Sequence, residues 1–371
     1  MKYYIIAGEA SGDLHGSNLI KALRKEDPNA DFRVWGGDLM QNAGATLVKH
    51  YRELAFMGFV EVLFNLRTIF RNIKICKNDI ENYNPDVIIF IDYPGFNMRI
   101  AQWAKKLGYK THYYVSPQIW AWKEGRISAI KRDVDKMYVI LPFEKDFYET
   151  KHSYNVEFVG HPLIDAIHDR TAINEVEFRS KNNLSDKPII ALLPGSRKQE
   201  ITKMLSEMLA VVNDFPEYQF VIAGAPGQEQ SFYQRFLTND NVGFISNQTY
   251  DLLSISYAAL VTSGTATLET ALFKVPEVVC YKGSWISYQI AKRVVTLKYI
   301  SLVNLIMDKE VVTELIQSEC NKSRIKAELG TIIDPQHRKK ILLDYKILER
   351  KLGGNGASAK IAKLIVADIK K

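Results

Sequence analysis

The sequence predicts an α/β protein built from two Rossmann-like domains that face each other across a cleft, and three observations carry that prediction. Its 371 residues are more than one compact domain usually takes, and 47% apolar content is enough to bury more than one core. Short apolar runs bounded by Gly, Pro or Asp alternate with amphipathic segments, the rhythm of βα units on a parallel sheet. That rhythm stops at a charged, Asn-rich stretch, 169–187, and restarts at Pro188. The predicted strands are 3–7, 32–35, 87–91, 111–115, 136–140 and 156–159 in the first half, then 189–193, 220–223, 243–245, 259–262 and 278–281 in the second. The linker falls near 161–169, so the domains are expected at 1–168 and 169–349.

Charge and cysteine usage narrow the class. A formal charge of +7, from 49 basic against 42 acidic residues, is a modest excess that suits anionic substrates or an anionic membrane surface. Nucleic-acid binding has little support, because the chain carries no arginine-rich tail, zinc-finger spacing or RNP-like aromatic motif. Cys76, Cys280 and Cys320 are odd in number and far apart, which argues against a disulfide framework and a thiolate metal site and for an intracellular protein. The run before Gly8 is too brief for a signal h-region, and apolar stretches such as 87–91 have strand length, so any membrane contact is expected to be peripheral.

In open α/β sheets ligands sit beyond the carboxyl ends of strands, so the polar residues after each strand are the site candidates. The first strand runs into Gly8-Glu9-Ala10-Ser11-Gly12-Asp13-Leu14-His15-Gly16, whose glycine spacing departs from the dinucleotide fingerprint and which no P-loop lysine follows. It reads either as a tight strand-to-helix turn or, through Glu9, Ser11, Asp13 and His15, as an acceptor site. Asp92 follows the apolar strand 87–91 and is placed either to cap the next helix or to deprotonate an attacking hydroxyl. The aromatics of 113–122, with Trp120 and Trp122, suit a sugar face or an acyl chain, with core packing as the competing use. Lys123 and Arg126 follow within reach of a phosphate.

In the second half, 192–197 ends a strand and opens a helix, aiming N–H groups of Gly195 and Ser196 and the Arg197 fork at an anion. Residues 262–269 form a second such turn, with Ser263, Gly264 and Thr265 small enough to admit phosphate oxygens and Glu269 placed for ribose hydroxyls. Two such turns in one half suggest a nucleotide diphosphate there. Asn304 sits between apolar neighbours, where a buried amide needs partners that a ligand can supply; Lys282, Tyr288 and Arg293 are weaker candidates. Between Met57 and Ile73 apolar residues recur at helical spacing beside bases, so Phe59, Leu63, Leu66, Arg67, Phe70, Arg71 and Lys74 form either a basic amphipathic membrane patch or one side of a core helix. No H-E-x-x-H metal-ligand spacing occurs.

Nine collinear motifs carry a resemblance: AGEASGD (7–13), MGFVEVL (57–63), IDYPGFN (91–97), YVSPQIWAW (114–122), LPFEKDFY (141–148), FVGHPL (158–163), LLPGSR (192–197), SGTATLE (263–269) and SLVNLI (301–306). In this order and spacing, as far as about Gln317, the chain resembles the lipid-A-disaccharide synthase family. The resemblance implies a GT-B fold, with an acceptor- and membrane-facing first domain, a UDP-sugar-binding second domain, and a tail helix at about 350–371 returning to the first domain. It implies transfer of a diacylglucosamine from its UDP conjugate to the 6-hydroxyl of a diacylglucosamine 1-phosphate, with inversion and with neither metal nor cofactor. Asp92 is then the base, Arg197 and the two turns stabilise departing UDP, and Asn304 lines the donor site. The family works at the inner face of the cytoplasmic membrane, which favours the membrane patch, and a homodimer stays open. Ala10 and Gln118 depart from the family's Thr and Ser, which leaves acyl-chain preference open. The competing readings are a UDP-N-acetylglucosamine 2-epimerase-like enzyme and a non-catalytic nucleotide-sugar or lipid-binding protein.

Overall fold

The computed structural model describes residues 1–54, 66–225, 228–283 and 297–371. The chain divides into two compact units, Met1–His168 with Leu352–Lys371, and Asp169–Lys351. Among the described residues the first unit holds a seven-stranded sheet: β1 (Lys2–Ala7), β2 (Asp31–Gly36), β3 (Thr46–His50), β4 (Val87–Ile91), β5 (Thr111–Tyr114), β6 (Lys136–Val139) and β7 (Glu157–Phe158), in the order β3-β2-β1-β4-β5-β6-β7. The second holds a six-stranded sheet: β8 (Ile189–Leu193), β9 (Gln219–Gly224), β10 (Val242–Ser246), β11 (Ser256–Thr262), β12 (Glu277–Tyr281) and β13 (Glu314–Ile316), in the order β10-β9-β8-β11-β12-β13. The strands pair in parallel throughout both. Each unit is therefore doubly wound, with its switch point between β1 and β4 in one and β8 and β11 in the other.

The central strands are apolar along their whole length because both of their faces are covered. Val87–Ile91 (VIIFI) and Ile189–Leu193 (IIALL) are buried at every position. Two strands were not among the predicted ones. Thr46–His50 is half-exposed at a sheet edge and carries polar and charged residues, and Glu314–Ile316 has only three residues. Neither gives a continuous apolar run.

In the first unit the helix Leu66–Tyr83 buries Ile73, Cys76 and Ile80 in the core. Asp79 fastens it, receiving Tyr4 Oη at 2.7 Å and Arg33 through two nitrogens at 2.6 and 2.8 Å. The same helix exposes Arg67, Phe70, Arg71 and Lys74, with Phe70 58% exposed. It is thus a core helix with a basic outer stripe. Phe59 and Leu63 lie outside the described residues, as does the side chain of Leu66.

The last helix, Ala357–Ile369, packs on the helix Ala10–Glu26 and belongs to the first unit. Its start is held by the buried Asp165, whose carboxylate accepts from Gly356, Ala357 and Ser358 N–H at 2.7, 3.3 and 2.8 Å. Near its end Asp368 meets His112 Nε2 at 3.1 Å, and that hydrogen bond holds the carboxyl down at about 2. The outgoing and returning segments touch where Gly160 and Gly353 both have positive φ (94° and 92°), and a Cβ on Gly353 would lie 3.1 Å from Gly160 Cα.

Asp165→Ala leaves three main-chain donors without their acceptor. It is expected to cost roughly 2–4 kcal/mol of stability, seen as a lower denaturation midpoint, with amide exchange rising first in 357–369. Unchanged protection of that helix would deny Asp165 its anchoring role.

Candidate active site

At the switch point of the first unit, β1 leads into Gly8 and Glu9, and β4 leads into Asp92 and Tyr93. Asp92 and Tyr93 are consecutive left-handed residues, with φ of 46° and 49°. Such a pair is costly for non-glycine residues and persists only when surrounding contacts over-determine it. Here Asp92 N–H donates to Tyr114 O at 3.1 Å, and Asp92 O accepts from Tyr113 Oη at 2.6 Å and from the buried Asn97 Nδ2 at 2.7 Å. The Tyr93 ring lies over Gly8, where a Cβ would sit 2.3 Å from it. With its backbone fixed in this way, the Asp92 carboxyl is pushed up to about 6, first by burial and then by the negative charge of Glu9. A carboxylate so tuned takes a proton from a hydroxyl more readily than an ordinary one.

The neighbouring candidates divide by use. Asp13 is buried and its oxygens accept from Gly37, Leu39 and Met40 N–H at 2.8, 3.1 and 3.0 Å, so it pins the loop after β2. Ser11 is exposed on the first turn of its helix. His15 is buried and burial drives it down to about 4; His161 is driven to about 3 by burial and by His15 beside it. Both are neutral imidazoles near neutral pH. Trp120 donates Nε1 to Glu144 at 3.1 Å and meets Phe143 edge-on at 4.8 Å, so it is largely a packing residue. Trp122 is 49% exposed with Lys123 Nζ 4.0 Å above its ring.

Sequence reasoning passed over two groups here. Buried Glu144 gathers Ser116 Oγ, Trp120 Nε1 and the N–H groups of Ile140 and Leu141, and so shapes the 116–120 loop. His161 is the other. Both lie inside recognised motifs, but a carboxylate or imidazole that works through buried contacts leaves no spacing signal of its own.

In the second unit Gly195 has φ 100°, and a Cβ there would strike Glu200 at 2.2 Å. Glu200 accepts the Ser196 N–H at 3.0 Å, so that donor, expected to face an anion, is engaged within the turn. Arg197 is exposed and directly precedes the helix Lys198–Leu209. At the other turn Ser263 Oγ donates to Ile300 O at 2.9 Å, while Gly264 and Thr265 are exposed at the start of the helix Thr265–Leu272. Glu269 receives Tyr250 Oη at 2.8 Å and burial raises its carboxyl; the Arg170 guanidinium stands 5.5 Å from the Tyr250 ring. Lys282 pairs with Glu207, and Tyr288 and Arg293 lie outside the described residues.

Asn304 is the remaining donor-side candidate. Its amide is fully buried, yet its partners come from the chain: Nδ2 donates to Val312 O and Glu314 at 2.8 and 2.9 Å, and Oδ1 accepts Val311 and Val312 N–H at 2.7 and 3.1 Å. All four hydrogen-bonding positions are filled, so no ligand is needed to satisfy it.

Two doubly wound parallel units with polar turns at their switch points define a GT-B protein, the class of glycosyltransferases and related epimerases. Among solved structures, the chain is similar to the UDP-GlcNAc 2-epimerase from Neisseria meningitidis bound to UDP-GlcNAc (TM-score 0.73, 14% identity, 99% of this chain and 100% of that one). It is also similar to the glycotransferase of kitacinnamycin (TM-score 0.66, 14% identity, 99% and 98%). At such identities the likeness shows the fold alone. Sequence carries the finer assignment: the model of the family described as lipid-A-disaccharide synthetase matches residues 3–367. Proteins named lipid-A-disaccharide synthase from Syntrophus aciditrophicus and Geobacter metallireducens are 40% and 38% identical, covering 99% and 98% of this chain and 97% and 96% of theirs. The chain belongs to the lipid-A-disaccharide synthetase family and is a glycosyltransferase.

Asn304→Ala is expected to lower stability by about 2–4 kcal/mol, through orphaned N–H groups of Val311 and Val312, and to leave UDP affinity of the folded fraction unchanged. Calorimetry showing weaker UDP binding at unchanged stability would return Asn304 to the donor site.

Proposed function

We propose that the enzyme transfers 2,3-diacylglucosamine from UDP-2,3-diacylglucosamine to the 6-hydroxyl of 2,3-diacylglucosamine 1-phosphate, forming a β-1,6-linked disaccharide and releasing UDP. Family membership supports the reaction class, and one observation carries the mechanism: the Asp92 carboxyl, held by a strained turn at the end of β4 and raised to about 6. Asp92 removes the acceptor hydroxyl proton as that oxygen attacks the anomeric carbon. The bond to the UDP oxygen breaks on the opposite face, so configuration inverts in one displacement. Arg197 and the helix start at Thr265 face the charge that develops on the diphosphate, in place of a metal ion. Glu269, oriented by Tyr250, receives ribose hydroxyls. Glu9 and the exposed Trp122 are assigned to the acceptor side, and the exposed Arg67, Phe70, Arg71 and Lys74 to contact with the membrane that supplies both lipids.

Asp92→Asn is expected to bind UDP like wild type while turnover in detergent micelles falls by about 10²–10⁴-fold. Equal activity would remove Asp92 from the mechanism. Because the base works as its carboxylate, kcat/KM falls as pH drops through about 6. Glu9→Gln removes the like charge and moves that limb towards the ordinary carboxylate range; an unmoved limb means that Glu9 does not tune the base. Arg197→Ala weakens UDP binding by roughly tenfold as well as slowing transfer, measured by calorimetry. Full activity under a chelator is the expected sign of metal independence.

A further inference from the structure

The helix Pro335–Lys351 in the second unit presents an outer stripe that the reaction does not use. Its inner side buries Ile341, Tyr345 and Leu348. With about 100° of rotation per residue, Lys339, Lys340, Leu343, Lys346, Ile347 and Arg350 fall within about 120° of one another on the opposite side. All six are exposed, Leu343 by 53% and Ile347 by 42%. The two acids in this stretch of the helix sit on its flanks and are already neutralised: Asp344 pairs with Lys309 at 2.6 Å and Glu349 with Lys274 at 2.5 Å. Among the described residues none of the four stripe cations is ion-paired. The result is two adjacent aliphatic side chains, one helical turn apart, ringed by uncompensated positive charge.

We propose that this stripe is a second membrane-contact surface, which rests the 335–351 helix on an anionic lipid surface independently of the stripe on Leu66–Tyr83. Four cations without an acid complement a negative headgroup layer, and exposed aliphatics at their centre gain by entering the acyl boundary. A nucleic-acid backbone rewards only the charges and leaves Leu343 and Ile347 in water. The choice of partner rests on the functional reading above, in which both substrates are lipids.

The test is sedimentation of the full chain with vesicles of phosphatidylglycerol and phosphatidylcholine, against vesicles of phosphatidylcholine alone. Disaccharide formation in detergent micelles is followed in parallel. Two variants are compared with wild type: Lys339→Glu/Lys340→Glu/Lys346→Glu and the milder Leu343→Ser/Ile347→Ser. The expected result is salt-sensitive binding to the anionic vesicles that falls roughly tenfold or more in the charge variant and measurably in the serine variant, while melting temperature and micellar transfer stay at wild-type values. Either folded variant binding as tightly as wild type overturns the proposal. So does wild-type chain that ignores anionic vesicles, or that binds duplex RNA in their place. Arg67→Glu/Arg71→Glu/Lys74→Glu abolishing binding while the 335–351 variants retain it also overturns the proposal, but leaves the functional reading intact. Absence of disaccharide from wild type in micelles fails that reading, whatever the vesicles show.

Discussion

The contact of the Tyr93 ring with Gly8 governs the first unit's site. A ring over a glycine α-carbon locks the turn after β4 to the turn after β1, and any side chain at position 8 would force them apart. That contact brings two carboxyl-bearing loops, from strands distant in sequence but adjacent in the sheet, into electrostatic contact, so Glu9 raises the carboxyl of Asp92. The left-handed backbone of Asp92 and Tyr93 is the conformational cost, and the Tyr113 hydroxyl, the Asn97 amide and the Tyr114 carbonyl offset it. A turn held by so many main-chain contacts is fixed in advance, as the base role proposed for Asp92 requires.

Much of the architecture is legible in the sequence because parallel strands buried on both faces must be continuously apolar, and β4 and β8 are. The edges are not. Thr46–His50 and Glu314–Ile316 owe their strand conformation to one neighbouring strand each, and nothing in their composition separates them from loop. The basic helix Leu66–Tyr83 shows a different limit: the periodicity read over 57–73 overlaps only its first part, and apolar and basic stripes read alike whether a core or a bilayer lies beneath. The structure buries Ile73, Cys76 and Ile80 in the core and leaves Phe70 and the bases exposed.

Polar residues were harder to assign than apolar ones. Asp13 and Asn304 were singled out for sitting where a ligand would want them, yet both are spent on main-chain groups. An acid or amide that organises a loop and one that binds a substrate occupy the same places, after strands and at helix starts, because both exploit unpaired N–H groups. Only the hydrogen-bond inventory distinguishes them. Asp92 differs in that its carbonyl and amide take most of the structural contacts, while its carboxyl receives a main-chain hydrogen bond from the neighbouring Tyr93.

The return of Ala357–Ile369 to the first unit makes the second unit an insertion within the first. On a ribosome the first unit therefore emerges without its last helix and waits through the whole synthesis of 169–351 before that helix appears. During this interval the Asp165 carboxylate lacks the donors it is built to receive, and His112 lacks Asp368. The second unit, contiguous in sequence, can close on itself first. The order of synthesis is thus the reverse of the order of completion: the half of the protein that carries Asp92 is begun first and finished last.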